Sequence, residues 1–159
     1  MHPPLGRFLA GSRARSRAVL TALALALAVP AAWAVEFRSV AVDAAVLYDA
    51  PSTKARKLYI LGRDYPVEVL VLLEGWTKVR DAAGDLAWIE AKQLAERRML
   101  IVRVPRAEVR QAASESADIV FLVEQDGLLE LIEMDGNYAR VRHADGPTGY
   151  VRVTQVWGL

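Results

Sequence analysis

Two short segments of this sequence set aromatic and cationic side chains at alternate positions: Trp76-Thr-Lys-Val-Arg80 and Tyr138-Ala-Arg-Val-Arg142. In an extended strand alternate side chains share a face, so Trp76, Lys78 and Arg80 lie together, opposite Val79. A hairpin turning over residues 81 to 85 sets Lys78 across from Trp88, and the equivalent register sets Arg140 across from Tyr150. Trp76, Lys78 and Trp88, with Tyr138, Arg140 and Tyr150, are therefore the candidate ligand-binding residues. Ring faces stack on flat groups and hold cations, and the cations attract carboxylates, which suits a partly apolar peptide ligand. The competing assignment is structural: these rings cap a core or pack two units together.

Other chemistry has little support. A hydrolase needs a nucleophile, a base and an orienting group. Beyond residue 34 the one histidine is His143, expected as an exposed turn residue opposite Asp81, and no Gly-x-Ser-x-Gly or Ser-x-x-Lys setting occurs. The chain has no cysteine, which excludes thiol catalysis, disulfides and cysteine-based metal sites. Asp43, Asp49, Asp64, Asp81 and Asp85 read as turn formers, and no Gly-rich phosphate loop is present. The expectation is a non-enzyme with no cofactor and no metal.

The elements that must position the aromatic and cationic groups are strands. From Phe37 onward apolar residues recur with a period of two, in short runs closed by Gly, Asp or Pro. Val67–Leu73, Trp76–Arg80 and Leu86–Glu90 are predicted strands, with turns at 62–66, 74–75 and 83–85. Only Glu90–Arg98, rich in Ala, Glu, Lys and Leu, has helical composition, and it predicts a short helical turn and a connector.

A repeat organises these strands. A shift of 62 residues lays Trp76–Arg80 on Tyr138–Arg142 and Leu86–Ile89 on Thr148–Val151 without a gap, and Asp64, Glu68, Val79, Arg80, Ala82 and Gly84 recur identically. Upstream, Ala45-Val46 aligns with Glu108-Val109 at a shift of 63, which implies one inserted residue. Each unit then holds about 60 residues in five or so strands, the size of a small antiparallel barrel. Val67, Val69, Val79 and Ile89 are expected inside the first, and Leu129, Leu131, Val141 and Val151 inside the second. Leu70 and Leu72, matched by Ile132 and Met134, have the opposite parity and predict a bulge or a second buried surface between the copies. The fold class is all-β, two tandem small barrels at 35–95 and 96–159, supporting each other across the connector near residues 95–98.

Ahead of them, Arg7, Arg13, Arg15 and Arg17 precede an apolar run from Ala18 to Val29, then Pro30 and the small-residue site Ala32-Trp33-Ala34. This has the form of an export signal peptide over 1–34, with the mature chain starting at Val35. The apolar run is short of the roughly 20 residues a membrane span needs, so no stable membrane insertion is expected after cleavage. Taking those four arginines from the 20 basic residues leaves 16 against 19 acidic, a net charge of −3. That balance argues against nucleic acid and anionic lipid as partners. The expected location is periplasmic or secreted.

Asp135-Gly-Asn-Tyr-Ala-Arg-Val-Arg142 followed by Asp145-Gly-Pro-Thr-Gly-Tyr-Val151 resembles the signature of bacterial SH3-like (SH3b) domains, an aromatic-x-Lys/Arg-Val-Arg strand, a turn with Gly, then Gly-Trp/Tyr-Val. Glu74–Arg80 with Ala87-Trp-Ile89 matches nearly as well, Ala87 standing where that family prefers Gly. Ala50-Pro-Ser52 resembles its Gly-Pro-Ser turn, and Ala113-Ser114 lacks the Pro. The resemblance implies a small-barrel fold and a role in cell-envelope binding, with peptidoglycan, through its cell-wall peptide, or another envelope component as the partner and a periplasmic protein bound by a structural adaptor as the alternative. Ala45-Val-Leu-Tyr-Asp49 is also similar to the Ala-Leu-Tyr-Asp-Tyr segment of eukaryotic SH3 domains that grip proline-rich peptides. The second copy, read there as Glu108-Val-Arg-Gln-Ala112, does not repeat it.

Overall fold

The computed structural model describes residues 35–144 and 146–159; the expected leader over 1–34 and Asp145 lie outside the described residues. Among the described residues the short alternating runs form fourteen strands in two antiparallel sheets. The first contains β1 (Glu36–Val40), β2 (Ala44–Tyr48), β3 (Lys57–Gly62), β4 (Pro66–Leu73), β5 (Trp76–Arg80), β6 (Leu86–Glu90) and β7 (Leu94–Ala95). The second contains β8 (Met99–Val102), β9 (Arg106–Arg110), β10 (Ile119–Glu124), β11 (Leu128–Asp135), β12 (Tyr138–Arg142), β13 (Thr148–Arg152) and β14 (Val156–Trp157). Strand order is β3-β2-β6-β5-β4-β1-β7 and β10-β9-β13-β12-β11-β8-β14, one topology used twice.

Each sheet encloses its own apolar cluster. Val67, Val79 and Ile89 are fully buried in the first with Val40, Ala45 and Leu47, and Leu129, Val141 and Val151 in the second with Leu100, Val102 and Val109. Each Val, Leu or Ile among them contributes about 1.5–3 kcal/mol on leaving water. Val69 and Leu131, expected inside, are only half-buried, because β4 and β11 leave the core just beyond them. The pairing of β4 with β5 shifts between Val69 and Val71, and that of β11 with β12 between Leu131 and Glu133. The parity conflict is thus resolved by a bulge, which inserts one unpaired residue. It is not resolved by a second buried surface: Leu72 and Met134 are 55 % and 51 % exposed.

One expectation about the chain path is met and one needs correction. The short helical turn expected within 90–98 is a 3₁₀ turn at Ala91–Gln93, after which Leu94–Ala95 pairs with β1. A segment this short does not nucleate a longer helix. The inserted residue, by contrast, does not exist. Ala45 and Leu47 are buried as Ala107 and Val109 are, Tyr48 pairs with Trp88 as Arg110 pairs with Tyr150, and Asp49 N donates to Arg56 O as Gln111 N does to Asp118 O. Every one of these pairs is 62 residues apart. Asp64 and Asp126, at φ 66° and 64°, adopt the same left-handed turn, each donating its N–H at 2.9 Å to the carbonyl of Val40 or Val102. Aspartate tolerates that conformation better than most residues.

The two units pack on each other. All four residues of β8 are buried. Leu100 and Val102 point into their own core, which leaves Met99 and Ile101 covered on the other face. Phe37 of β1, 7 % exposed, meets Trp157 of β14 edge-to-face with centroids 5.0 Å apart, and the Arg98 guanidinium lies 5.7 Å from the Phe37 ring. Arg98 also donates to Gly158 O at 3.1 Å, and Arg97 bridges Asp64 of the first unit (3.3 Å) to Glu130 of the second (3.4 Å). The mutual support expected at the connector is built from these residues, none of them among the six candidate ligand-binding residues.

Candidate functional site

In the first barrel β2, β6 and β5 lie side by side, and the pleat turns Tyr48, Trp88, Trp76 and Lys78 away from the core. Thr77 and Val79 are fully buried, while Trp76, Lys78 and Trp88 are half-buried. Lys78 stands opposite Trp88 as expected, its Nζ 6.0 Å from the ring centroid. That is the outer limit of a cation–π contact. Trp76 packs edge-to-face on Tyr48 with centroids 5.5 Å apart, and Tyr48, itself buried, stands in register with Trp88. Arg80 shares the parity of Lys78 but is held by Glu68 at 3.0 Å, as Arg142 is by Glu130 at 3.5 Å.

The second barrel repeats the frame with different chemistry. Tyr138 and Tyr150 replace the two tryptophans, half-buried, and Arg140 pairs in register with Tyr150. Its guanidinium turns to Glu133 on β11, at 3.1 Å. Tyr48 is replaced by Arg110 and Glu90 by Arg152, which pairs with Tyr138 across the β12–β13 ladder. A cavity of about 270 Å³ opens here, lined by Arg106, Glu108, Arg110, Tyr138, Arg152 and Gln155.

Tyr48, Arg106, Arg110 and Arg152 were therefore missed as candidates. The signal was in the repeat: aligning β2 with β9 at 62 puts Arg110 beneath Tyr48, whereas the shift of 63 put Gln111 there. A one-residue slip in a strand moves every side chain to the opposite face.

His143 also differs from expectation. It is half-buried, and its ring packs on Phe121 with centroids 5.7 Å apart. The residues 62 earlier are Asp81 and Tyr59, so the polar pair of the first barrel is an aromatic pair in the second. Asp81 is 5 % exposed and its carboxylate accepts from Ala83 N and Asp85 N, both at 2.9 Å, which closes the β5–β6 turn.

Burial, and then the neighbouring Asp81 carboxylate, push the Tyr59 phenol well above its ordinary value of 10, and Tyr65 is raised by the same two causes. The folded state therefore favours the protonated phenols. Their contribution is complete below pH 10 and is lost as pH rises beyond it, because the unfolded chain then ionises first. Tyr59→Phe should flatten this alkaline decline. Urea unfolding at about pH 9 and about pH 11 checks it, and an equal loss of stability in variant and parent would refute the assignment.

Among the described residues no group of three or more His, Asp or Glu is placed to hold a metal ion, and no helix is long and apolar enough to cross a membrane. Residues 41–96 and 103–158 each match the family described as bacterial SH3 domain, and the two matches are themselves 62 residues apart at both ends. No curated protein gives a significant match. Among solved structures, NlpC1 from Trichomonas vaginalis is similar at 20 % identity and a TM-score of 0.37, covering 77 % of this chain and 45 % of that one. An NlpC/P60 family protein from Bacillus cereus is similar at 17 % identity and a TM-score of 0.36, covering 77 % and 56 %. The chain spans about half the length of these proteins.

Proposed function

Since this chain belongs to the bacterial SH3 domain family, with two tandem copies, we propose that it is a non-catalytic exported binding module that holds peptidoglycan through the peptide part of that polymer. The observation that carries this reading is the outer face shared by both barrels, where half-buried rings stand beside a cation: Trp76 and Trp88 with Lys78, Tyr138 and Tyr150 with Arg140. Rings half out of the core keep a face for stacking, and the cation beside them attracts carboxylates. Two such faces in one chain raise retention on a repetitive polymer by avidity, without any new contact.

Co-sedimentation with purified sacculi tests it. Lys78→Gln with Arg140→Gln should weaken retention about tenfold, the equivalent of roughly 1.4 kcal/mol. Both residues lie outside the cores, so the melting temperature should hold. Unchanged retention at unchanged melting temperature would overturn the reading.

A structural adaptor bound to a periplasmic protein is the second reading, favoured by one feature. The terminal strands β3 and β10 leave Ile60 62 % exposed and Leu122 49 % exposed on unpaired edges. Such an edge can accept a further strand. Retention by a periplasmic extract and not by sacculi would favour it.

A further inference from the structure

The six residues lining the cavity of the second barrel correspond, 62 positions earlier, to Ala44, Val46, Tyr48, Trp76, Glu90 and Gln93. One frame thus carries opposite charge in its two copies: three arginines and one glutamate in the second, one glutamate and no cation in the first. Only the glutamine and the aromatic character of position 76/138 persist. The rings of the first copy close up, Tyr48 on Trp76, where the second opens a cavity between Arg110 and Tyr138.

From this we infer that the two copies bind different groups, and that the cavity of the second takes the terminal carboxylate of a short peptide. The inference rests on the reading of these outer faces as peptide-binding. A cavity of about 270 Å³ lies just below the size of pockets that enclose a whole small ligand, so it receives the end of one. Arg110 is held in place by Ala117 O at 2.6 Å and by Glu108, and is the most enclosed of the three, with 19 % of its side chain exposed. Arg152 pairs with Glu115 at 2.5 Å and Arg106 with Glu124 at 2.8 Å, both from the rim. A guanidinium carries five N–H donors, so each keeps donors for a second carboxylate, which its planar fork matches in a bidentate pair. The Tyr138 ring supplies an apolar wall for the side chain of the terminal residue. Glu108, inside the cavity, opposes the second negative charge of a phosphate dianion more than the single charge of a carboxylate.

Titrating the ¹⁵N-labelled mature chain with N-acetyl-Ala-Ala, with its C-terminal amide and with inorganic phosphate tests the inference. The free acid should shift the amides of Arg110, Tyr138, Arg152 and Gln155 and leave those of Tyr48, Trp76, Glu90 and Gln93 in place. The amide should bind at least tenfold more weakly, and phosphate more weakly than the acid. Arg110→Gln should abolish the shifts. Because Arg110 also ties down Ala117, the more exposed Arg152→Gln serves as the second variant and should weaken binding about tenfold at unchanged melting temperature. Equal binding of acid and amide, tighter binding of phosphate, shifts confined to the first barrel or no shifts at all would each overturn the inference. Sacculus retention that still depends on Lys78 and Arg140 would then leave the proposed function standing, while its loss in that assay alone would leave this inference intact.

Discussion

Phe37→Ala is expected to cost about 3–5 kcal/mol and to separate the unfolding of the two barrels. Phe37 is 7 % exposed yet belongs to neither core cluster; it fills the space between the copies, against Trp157 and beneath Arg98. Truncation removes the buried ring, the edge-to-face contact worth a further 0.5–1.5 kcal/mol or so, and the apolar partner of the Arg98 guanidinium. Units of about 60 residues without disulfides or metal have little stability to spare, so the loss falls on a marginal structure. Calorimetry of residues 35–159 should show one transition for the parent and two, both lower, for the variant. A single transition at the parent temperature would mean that the barrels are independent and the interface contributes nothing.

Gly149→Ala and Ala87→Gly, the same position in the two copies, should behave unequally. A Cβ on Gly149 would lie 2.6 Å from Arg110 O and 2.6 Å from Val109 Cγ1, because β9 crosses directly over it. Backbone cannot withdraw as a flexible side chain can, so the second barrel must shift, at about 1–3 kcal/mol. In the first barrel Ala87 already occupies the position, 1 % exposed, and its removal costs only the roughly 0.5–1 kcal/mol typical of glycine in a regular element. Urea midpoints of the two variants measure the difference, and equal values would contradict the close approach. Displacing β9 also moves Arg110, so Gly149→Ala should weaken the binding of N-acetyl-Ala-Ala while Ala87→Gly leaves it unchanged.

Much of the frame was legible in advance for a simple reason. Strands β4 to β6 and β11 to β13 are sequential, joined by tight turns and long enough for alternation and turn residues to agree, so the pairing of Lys78 with Trp88 followed from counting. The bulge was one of two outcomes that a parity conflict within a single strand allowed. β2 and β9 are five residues each, with two apolar positions facing the core, so a slip of one residue costs an alignment little and yet exchanges the two faces. That slip concealed Arg110, and with it the difference between the two outer surfaces.

By itself the sequence determined an all-β chain of two copies, the strands of each hairpin, and the alternation of β5 and β6 and of β12 and β13, because these depend on local period and turn chemistry. Only the tertiary structure decided the register of β2 and β9, the pairing of Leu94–Ala95 with β1, the packing of His143 on Phe121, and the meeting of Phe37 with Trp157. Each of these rests on contacts between residues far apart in the chain, and local period carries no information about them.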